Sequence, residues 1–241
     1  MNVPCSTRRV RMALVIVFLS ALSQASQAAE FFAIVDNYGK RPLNAYVDVS
    51  VDTVIGPQDV LFQVFSTAGG PLAEFTVRTN HQGLASTSSV VNLFDLTAGQ
   101  PMLVRARTNA SATPSAAMLH TDSRGAPLTL ALWPTNKRDG TALAAGKEFH
   151  IALGSFRSAS LLVANVGGTD QVVDIHVGTR GADGSGIYSN PRLGLAASWR
   201  VDLSQNEALS NLVVSSTGPI VVQLMLDDGT KPQSFVVLPI F

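Results

Sequence analysis

Short runs of alternating apolar and polar residues recur along the chain after residue 29. Clear examples are residues 46–52, 74–78, 173–177 and 220–226, which carry an apolar side chain at every second position. A period of two points one row of side chains inward, as in a half-buried β-strand. Gly, Pro, Asn and Asp separate the runs about every ten residues, a spacing typical of β-sandwiches. We therefore predict an all-β chain of antiparallel strands.

The chain also resembles itself at a distance of roughly one small domain. Three pairs of segments match, with separations between 107 and 118 residues: 83–93 with 194–203, 118–119 with 225–226, and 30–31 with 148–149. Drifting separations are expected where loops differ in length. We predict two tandem antiparallel β-sandwich modules, residues 29–134 and 142–241, joined by the polar linker 135–141. Chance similarity between apolar strands is the alternative.

The N-terminal segment has the organisation of an export signal. Arg8, Arg9 and Arg11 precede the apolar run 12–22, and residues 26–28 then read Ser-Gln-Ala. This pattern predicts a signal peptide over residues 1–28. The apolar run is shorter than the roughly 20 residues of a membrane span, although an uncleaved anchor stays an alternative. We expect a periplasmic, cell-surface or extracellular protein.

Cysteine usage and charge narrow the function classes. Cys5 is the only cysteine and precedes the apolar run, so the exported part would have no disulfide and no thiolate site. Basic and acidic residues number 17 each, and removal of the three signal arginines leaves a net charge of −3. A weakly acidic chain without a basic run is not expected to bind nucleic acid. Charged residues make up only 14% of the chain, which favours extensive burial, including a protein–protein interface.

Metal and cofactor sites are not predicted. The four histidines (His81, His120, His150 and His176) form no closely spaced pair and are interpreted as surface residues. Asp183 lies in a glycine-rich loop, and Asp227 and Asp228 precede Gly229. Such carboxylates could hold Ca²⁺, but hairpin turns explain Asp-Gly sequences without an ion. We predict no metal ligands, with calcium at Asp227 and Asp228 as the open alternative.

Catalytic signatures are also missing from the sequence. It contains neither a Gly-x-Ser-x-Gly elbow nor a Ser-x-x-Lys motif, so we predict no catalytic residues and no enzymatic activity. A triad assembled only in space stays open. Trp199 is in phase with Val201 and Leu203, which predicts burial in the second core rather than a sugar-stacking role. Trp133 is expected to pack at the junction between the modules.

Several turn-and-strand segments resemble bacterial extracytoplasmic immunoglobulin-like β-sandwich repeats. In the second module these are residues 161–170 with the alternating strand 172–177, and residues 216–222, where a small-residue turn precedes an apolar run. In the first module residues 64–70 and 79–85 are similar to such repeats. The resemblance implies an immunoglobulin-like fold and a binding, spacer or adhesion role, and it carries no catalytic residues.

Together these features predict an exported, non-enzymatic surface adhesion, assembly or envelope-scaffold component. The alternative is a carbohydrate- or small-ligand-binding accessory protein that uses loops at one end of a sandwich. An outer-membrane β-barrel and a hydrolase are further alternatives. We expect a protein partner or self-association, and no membrane contact beyond the signal peptide. Residues 234–241 are predicted to form the closing edge strand of the second module, matching residues 128–133 and covered by a neighbouring module or subunit.

Overall fold

The computed structural model of the chain is entirely β in the residues it describes. These are residues 30–36, 44–51, 56–87, 100–108, 114–122, 128–132, 146–152, 158–177, 187–189, 191–203, 211–227 and 232–237. The predicted signal peptide, its cleavage site and the linker 135–141 lie outside these residues. Within the described part of the chain, no helix is long and apolar enough to cross a membrane.

The described residues form sixteen strands, and every pairing among them is antiparallel. The first eight are β1 Glu30–Val35, β2 Asn44–Val51, β3 Asp59–Phe65, β4 Pro71–Arg78, β5 Leu84–Ser86, β6 Met102–Thr108, β7 Pro114–Asp122 and β8 Leu128–Leu132. The second eight are β9 Gly146–Ala152, β10 Ser158–Asn165, β11 Gln171–Val177, β12 Ile187–Ser189, β13 Arg192–Leu193, β14 Ser198–Leu203, β15 Asn211–Asp227 and β16 Pro232–Val237.

Strands β1 to β8 form two four-stranded sheets, ordered β1-β6-β3-β4 and β5-β2-β7-β8. Alternate residues of the first sheet, including Phe31, Phe62 and Val104, pack against Val47 and Val49 of the second. These side chains are almost completely buried. The alternation predicted for residues 46–52 therefore places its valines in a core between two sheets, as a β-sandwich requires.

Strands β9 to β16 are built around the 17-residue strand β15. Its first half pairs with β9 and β11, and its second half pairs with β10 and β16. The strand passes from one layer to the other near Gly218, where a Cβ atom would lie 2.3 Å from Oε1 of Gln171. The sequence suggested a turn before residue 220, whereas the structure has a continuous strand that changes partners there.

The second core lies between the two halves of this arrangement. Val173 and Ile175 of β11 are fully buried and face Leu161 and Val163 of β10. Trp199 on β14 packs against the same cluster, on the face that its phase in the sequence predicted, but it is only partly buried. The all-β, antiparallel, sandwich-like prediction is thus confirmed at this level.

The pairing order of the first eight strands recurs in seven of the second eight, and β13, which pairs with β11, has no counterpart. The order β1-β6-β3-β4 has its counterpart in β9-β15-β11-β12, and β5-β2-β7-β8 has its counterpart in β14-β10-β15-β16. The two halves of β15 occupy the places of β6 and β7. Strand β16 pairs with β15 as β8 pairs with β7.

Strand β16 is the closing strand of the second group. Among the described strands it pairs only with β15, and it begins at Pro232 rather than at Ser234. Strand β8 of the first group approaches it to within 8 Å between Cα atoms. Residues 238–241, and with them Pro239, lie outside the described residues.

Candidate interaction surface

The two groups of strands meet in a joint with its own apolar cluster. The outer face of the sheet containing β1 and β6 packs on the outer face of β10 and the second half of β15. The buried members are Phe32, Ile34, Leu103, Leu162, Ala164, Val221 and Met225. Strand β1 consequently buries both faces, because Phe31 and Ala33 point into the first core while Phe32 and Ile34 point into the joint.

A buried glutamine links the two groups at the edge of β1. Oε1 of Gln223 accepts a hydrogen bond from the backbone N–H of Ile34 at 2.6 Å. Nε2 of the same side chain donates to the carbonyl oxygen of Ile34 at 3.0 Å. β1 is the outermost strand of its sheet, so these backbone groups point away from β6. The Gln223 amide therefore supplies the partner that an adjacent strand would otherwise supply.

An ion-pair network reinforces the joint beside this contact. Nη1 of Arg200 lies 2.7 Å from Oδ2 of Asp36, which is 0% exposed, and Nε of Arg200 lies 2.8 Å from Oδ1 of Asp202. The hydroxyl of Ser160 also donates to Asp202 at 2.6 Å. Burial opposes ionisation of Asp202, but the hydrogen bonds from Ser160 and Arg200 and the positive charge of Arg200 outweigh it, so the pKa of Asp202 is lowered. Partial burial opposes the positive charge of Arg200. The hydrogen bonds and negative charges of Asp36 and Asp202 outweigh this effect, so the pKa of Arg200 is raised.

The turn between β3 and β4 is the third contact in the joint. The backbone N–H of Ser198 donates to the carbonyl of Thr67 at 3.0 Å, and the Ser198 hydroxyl donates to the carbonyl of Pro101 at 2.6 Å. Gly69 has a φ of +88°, and a Cβ atom there would lie 1.9 Å from the carbonyl oxygen of Leu195. Backbone therefore packs directly on backbone, which fixes how the two groups are oriented.

The opposite edge of the first sheet ends in strand β4. Among the described strands β4 pairs only with β3, which leaves its outer edge without a strand partner in that part of the chain. Its outer-face residues Leu72, Glu74, Thr76 and Arg78 are exposed, and its inner-face residues are only partly buried. Phe75 on the inner face stacks on Phe62, with ring centroids 5.6 Å apart. A long, partly apolar free edge is a typical site for pairing with another chain.

A shallow depression of about 260 Å³ adjoins this edge on the outer face. It is lined by Gln63, Phe65, Pro71, Leu72, Ala73 and Glu74. Leu72 is 44% exposed, and Nε2 of Gln63 donates to Glu74 at 2.6 Å. The depression is open and combines one charged group with apolar side chains, which suits a protein side chain better than a buried small molecule.

The residues considered as metal ligands are dispersed. His81 is exposed in a turn, His176 is half-buried on β11, and Nε2 of His150 lies 2.8 Å from Oε1 of Glu148 on the surface of β9. In the described part of the chain no three His, Cys, Asp or Glu side chains come together as a metal site requires. Asp183, Asp228 and Trp133 lie outside the described residues, as do the side chains of His120 and Asp227. The expectation of no metal site stays a prediction.

Comparisons with known proteins identify no family. No family model and no curated protein matches the chain. One solved structure is similar over 88% of this chain, an α-L-rhamnosidase of Streptomyces avermitilis complexed with L-rhamnose, with 12% identity and a TM-score of 0.28. The chain spans about a quarter (26%) of the length of that protein. A likeness this weak carries no argument about activity.

Proposed function

We propose that the chain is an exported, non-enzymatic β-sandwich protein that works as a surface adhesion, assembly or envelope-scaffold component. In this proposal two tandem immunoglobulin-like modules act as one rigid unit, and the free edge of β4 is the surface that meets a protein partner. The signal-like segment 1–28 and the low charged fraction of 14% support export and extensive protein contact.

The proposed duplication is supported by strand order rather than by sequence identity. Apart from β13, both groups of strands have the same pairing order. The turn Asn80–Gly83 directly precedes β5, and the turn Gly194–Ala197 directly precedes β14 in the same way. Equivalent turns before equivalent strands are expected of two copies of one module.

The observation that carries the proposal is the joint. A flexible tether would suffice if the modules acted independently. Here seven buried apolar side chains, the Gln223 amide and the partly buried Asp36–Arg200 pair hold the modules together. A spacer or assembly component needs a fixed geometry between its modules, because the position of one module then determines the position of the other.

The carbohydrate- or small-ligand-binding alternative gains little from this arrangement. It places the binding site on loops at one end of a sandwich. The depression beside β4 lies instead between the side chains of two strands, β3 and β4. We therefore retain a protein partner as the proposed ligand.

Site-specific photo-cross-linking in a bacterial host tests the proposal. A photoreactive residue is placed at Thr76, on the free edge of β4, and at Gly168 as a matched control, since Gly168 is exposed with no other heavy atom near its Cβ position. We expect export to the envelope fraction and discrete protein adducts from position 76 only. Retention in the cytoplasm, or equal adducts from both positions, would contradict the proposal.

A further inference from the structure

We propose that the partner at the β4 edge is a second copy of this chain, paired antiparallel through β4 about a two-fold axis at Thr76. This inference rests on the proposed assembly function and names its occupant. In this register Thr76 lies opposite the partner's Thr76, and Glu74 lies opposite the partner's Arg78. Because the arrangement is symmetric, Arg78 also lies opposite the partner's Glu74.

The backbone of β4 is oriented for this register. The N–H of Thr79 donates to the carbonyl of Gln58 on the β3 side at 2.8 Å. Hydrogen-bonding groups alternate sides along an antiparallel strand, and the register is regular from Ala73 to Arg78. The N–H and C=O groups of residues 74, 76 and 78 therefore point away from β3. Pairing about Thr76 turns these groups toward the same groups of the second copy.

The two charged residues of β4 favour both a second copy as the partner and the register centred on Thr76. Glu74 and Arg78 are the only ionisable residues of β4, and both are exposed on its outer face. Pairing about Thr76 brings them opposite each other twice, and opposite charges across a strand pair are favourable. Their present contacts, Glu74 with Gln63 at 2.6 Å and Arg78 with Asp59 at 3.4 Å, are exposed and leave further donor and acceptor positions.

The inner face of β4 is complementary in the same register. Phe75 lies opposite the partner's Val77, and Val77 lies opposite the partner's Phe75. Both side chains are only partly buried at the edge of the first core. Aromatic and β-branched residues form favourable cross-strand pairs, so pairing would complete the burial that the edge leaves unfinished.

The neighbouring register is less complementary. Centring the axis on Phe75 places Glu74 opposite the partner's Thr76 and Leu72 opposite the partner's Arg78. Neither charge then has an opposite charge across the strand pair. The number of residues that can pair on either side of the axis is limited by the irregular pairing at Pro71 and by the turn that begins at Asn80.

Charge reversal tests the pairing on the full chain. Sedimentation velocity over a range of concentrations measures dimerisation of the wild type, Glu74→Arg, Arg78→Glu and the double variant. Each single reversal places like charges opposite each other twice, so we expect the dimer dissociation constant to rise about tenfold or more. The double variant restores opposite charges and should recover wild-type affinity. A monomeric wild type, or single variants that dimerise as well as the wild type, would overturn the inference.

Cysteine cross-linking tests the axis itself. In a Cys5→Ser background, Thr76→Cys should form an intermolecular disulfide on mild oxidation, because directly opposed residues have Cα atoms roughly 5.5 Å apart. Gly168→Cys is the control for random collision. Equal cross-linking at both positions would exclude the Thr76 axis.

The two proposals fail in different ways. If the purified protein stays monomeric while position 76 captures a different envelope protein in cells, self-pairing is wrong and the assembly function stands. If the charge pattern governs dimerisation but the chain is retained in the cytoplasm, self-pairing stands and the proposed function is wrong.

Discussion

The side chain of Gln223 is hydrogen-bonded to both backbone polar groups of Ile34, a residue 189 positions earlier in the chain. The glutamine is 2% exposed, so the interaction is shielded from water. One amide thereby takes the place of an adjacent strand's backbone and links the two groups beside the apolar cluster. Its geometry is specific, because an acceptor and a donor must both be in place.

Replacing Gln223 with Leu should destabilise the protein strongly. The variant leaves the N–H and C=O of Ile34 buried without this partner, at a cost of roughly 2–5 kcal/mol for the two groups. Urea-induced unfolding measures the change. Gln63→Leu is the control: its amide contacts Glu74 on the exposed face, and its loss should cost about 1 kcal/mol or less. Equal effects would show that the buried amide contributes nothing special.

Gly69→Ala should disrupt the joint. Gly56→Ala is the control, because it adds a similar backbone strain without a new contact. Both glycines have positive φ, +88° and +82°, so alanine adds a similar backbone strain of about 1–2 kcal/mol at each. Only at Gly69 does the new Cβ meet another group, the carbonyl of Leu195 at 1.9 Å. We expect Gly69→Ala to lower the melting temperature clearly more than Gly56→Ala. Identical shifts would mean that the turn does not press on residue 195.

A double-mutant cycle tests the pair between Asp36 and Arg200. Arg200→Met removes the guanidinium from a carboxylate that is 0% exposed, and because Arg200 itself is 20% exposed we expect a loss of about 1.5–3 kcal/mol, typical of a hydrogen bond to a charged group. Asp36→Asn in the same chain removes the buried charge and should recover part of that stability. Unfolding free energies of the four proteins give the coupling. A double variant less stable than Arg200→Met would contradict a direct interaction.

The lowered pKa of Asp202 predicts a small acid-dependent loss of stability. An aspartate whose pKa is lower in the folded state stabilises above its unfolded pKa of about 3.9, and this contribution disappears as pH falls through the folded value. The side chain is 69% exposed, so solvent screening keeps the contribution below about 1 kcal/mol. The stability difference between wild type and Asp202→Asn should therefore be largest near neutral pH and shrink below pH ~4. A difference that is constant from pH 7 to pH 2 would contradict this cause.

Local patterns in the sequence were sufficient for the alternating strands and their inward faces. The alternation at Val47 and Val49, and at Val173 and Ile175, gave the correct buried rows. Matching segments aligned the two groups of strands only approximately. The sequence aligned Gly83 with Gly194, whereas the turn before β14 ends at Ala197, three residues later. Glycine similarity is a poor guide where a turn can close on alanine.

The joint was harder to predict because its specificity depends on contacts distant in sequence. A usable signal was present: residues 31–35 and 161–164 are apolar without interruption, and strands buried on both faces have that pattern. Gln223, by contrast, looks like an ordinary polar position in an apolar run. Its role depends on a backbone edge far away in the chain, and no local periodicity encodes such a pairing.

The edge of β1 is covered by the second group of strands, which limits how large an assembly built on β4 can become. A sheet with two open edges can add copies at both of them, and repeated addition of this kind produces fibres. In the first sheet the Gln223 amide and the second group of strands obstruct the β1 side. In the proposed dimer, pairing through β4 would use the side of that sheet that has no strand partner among the described residues. If β4 pairs with a second copy as proposed, Gln223 acts as a stop at β1 and limits growth of this sheet to two copies.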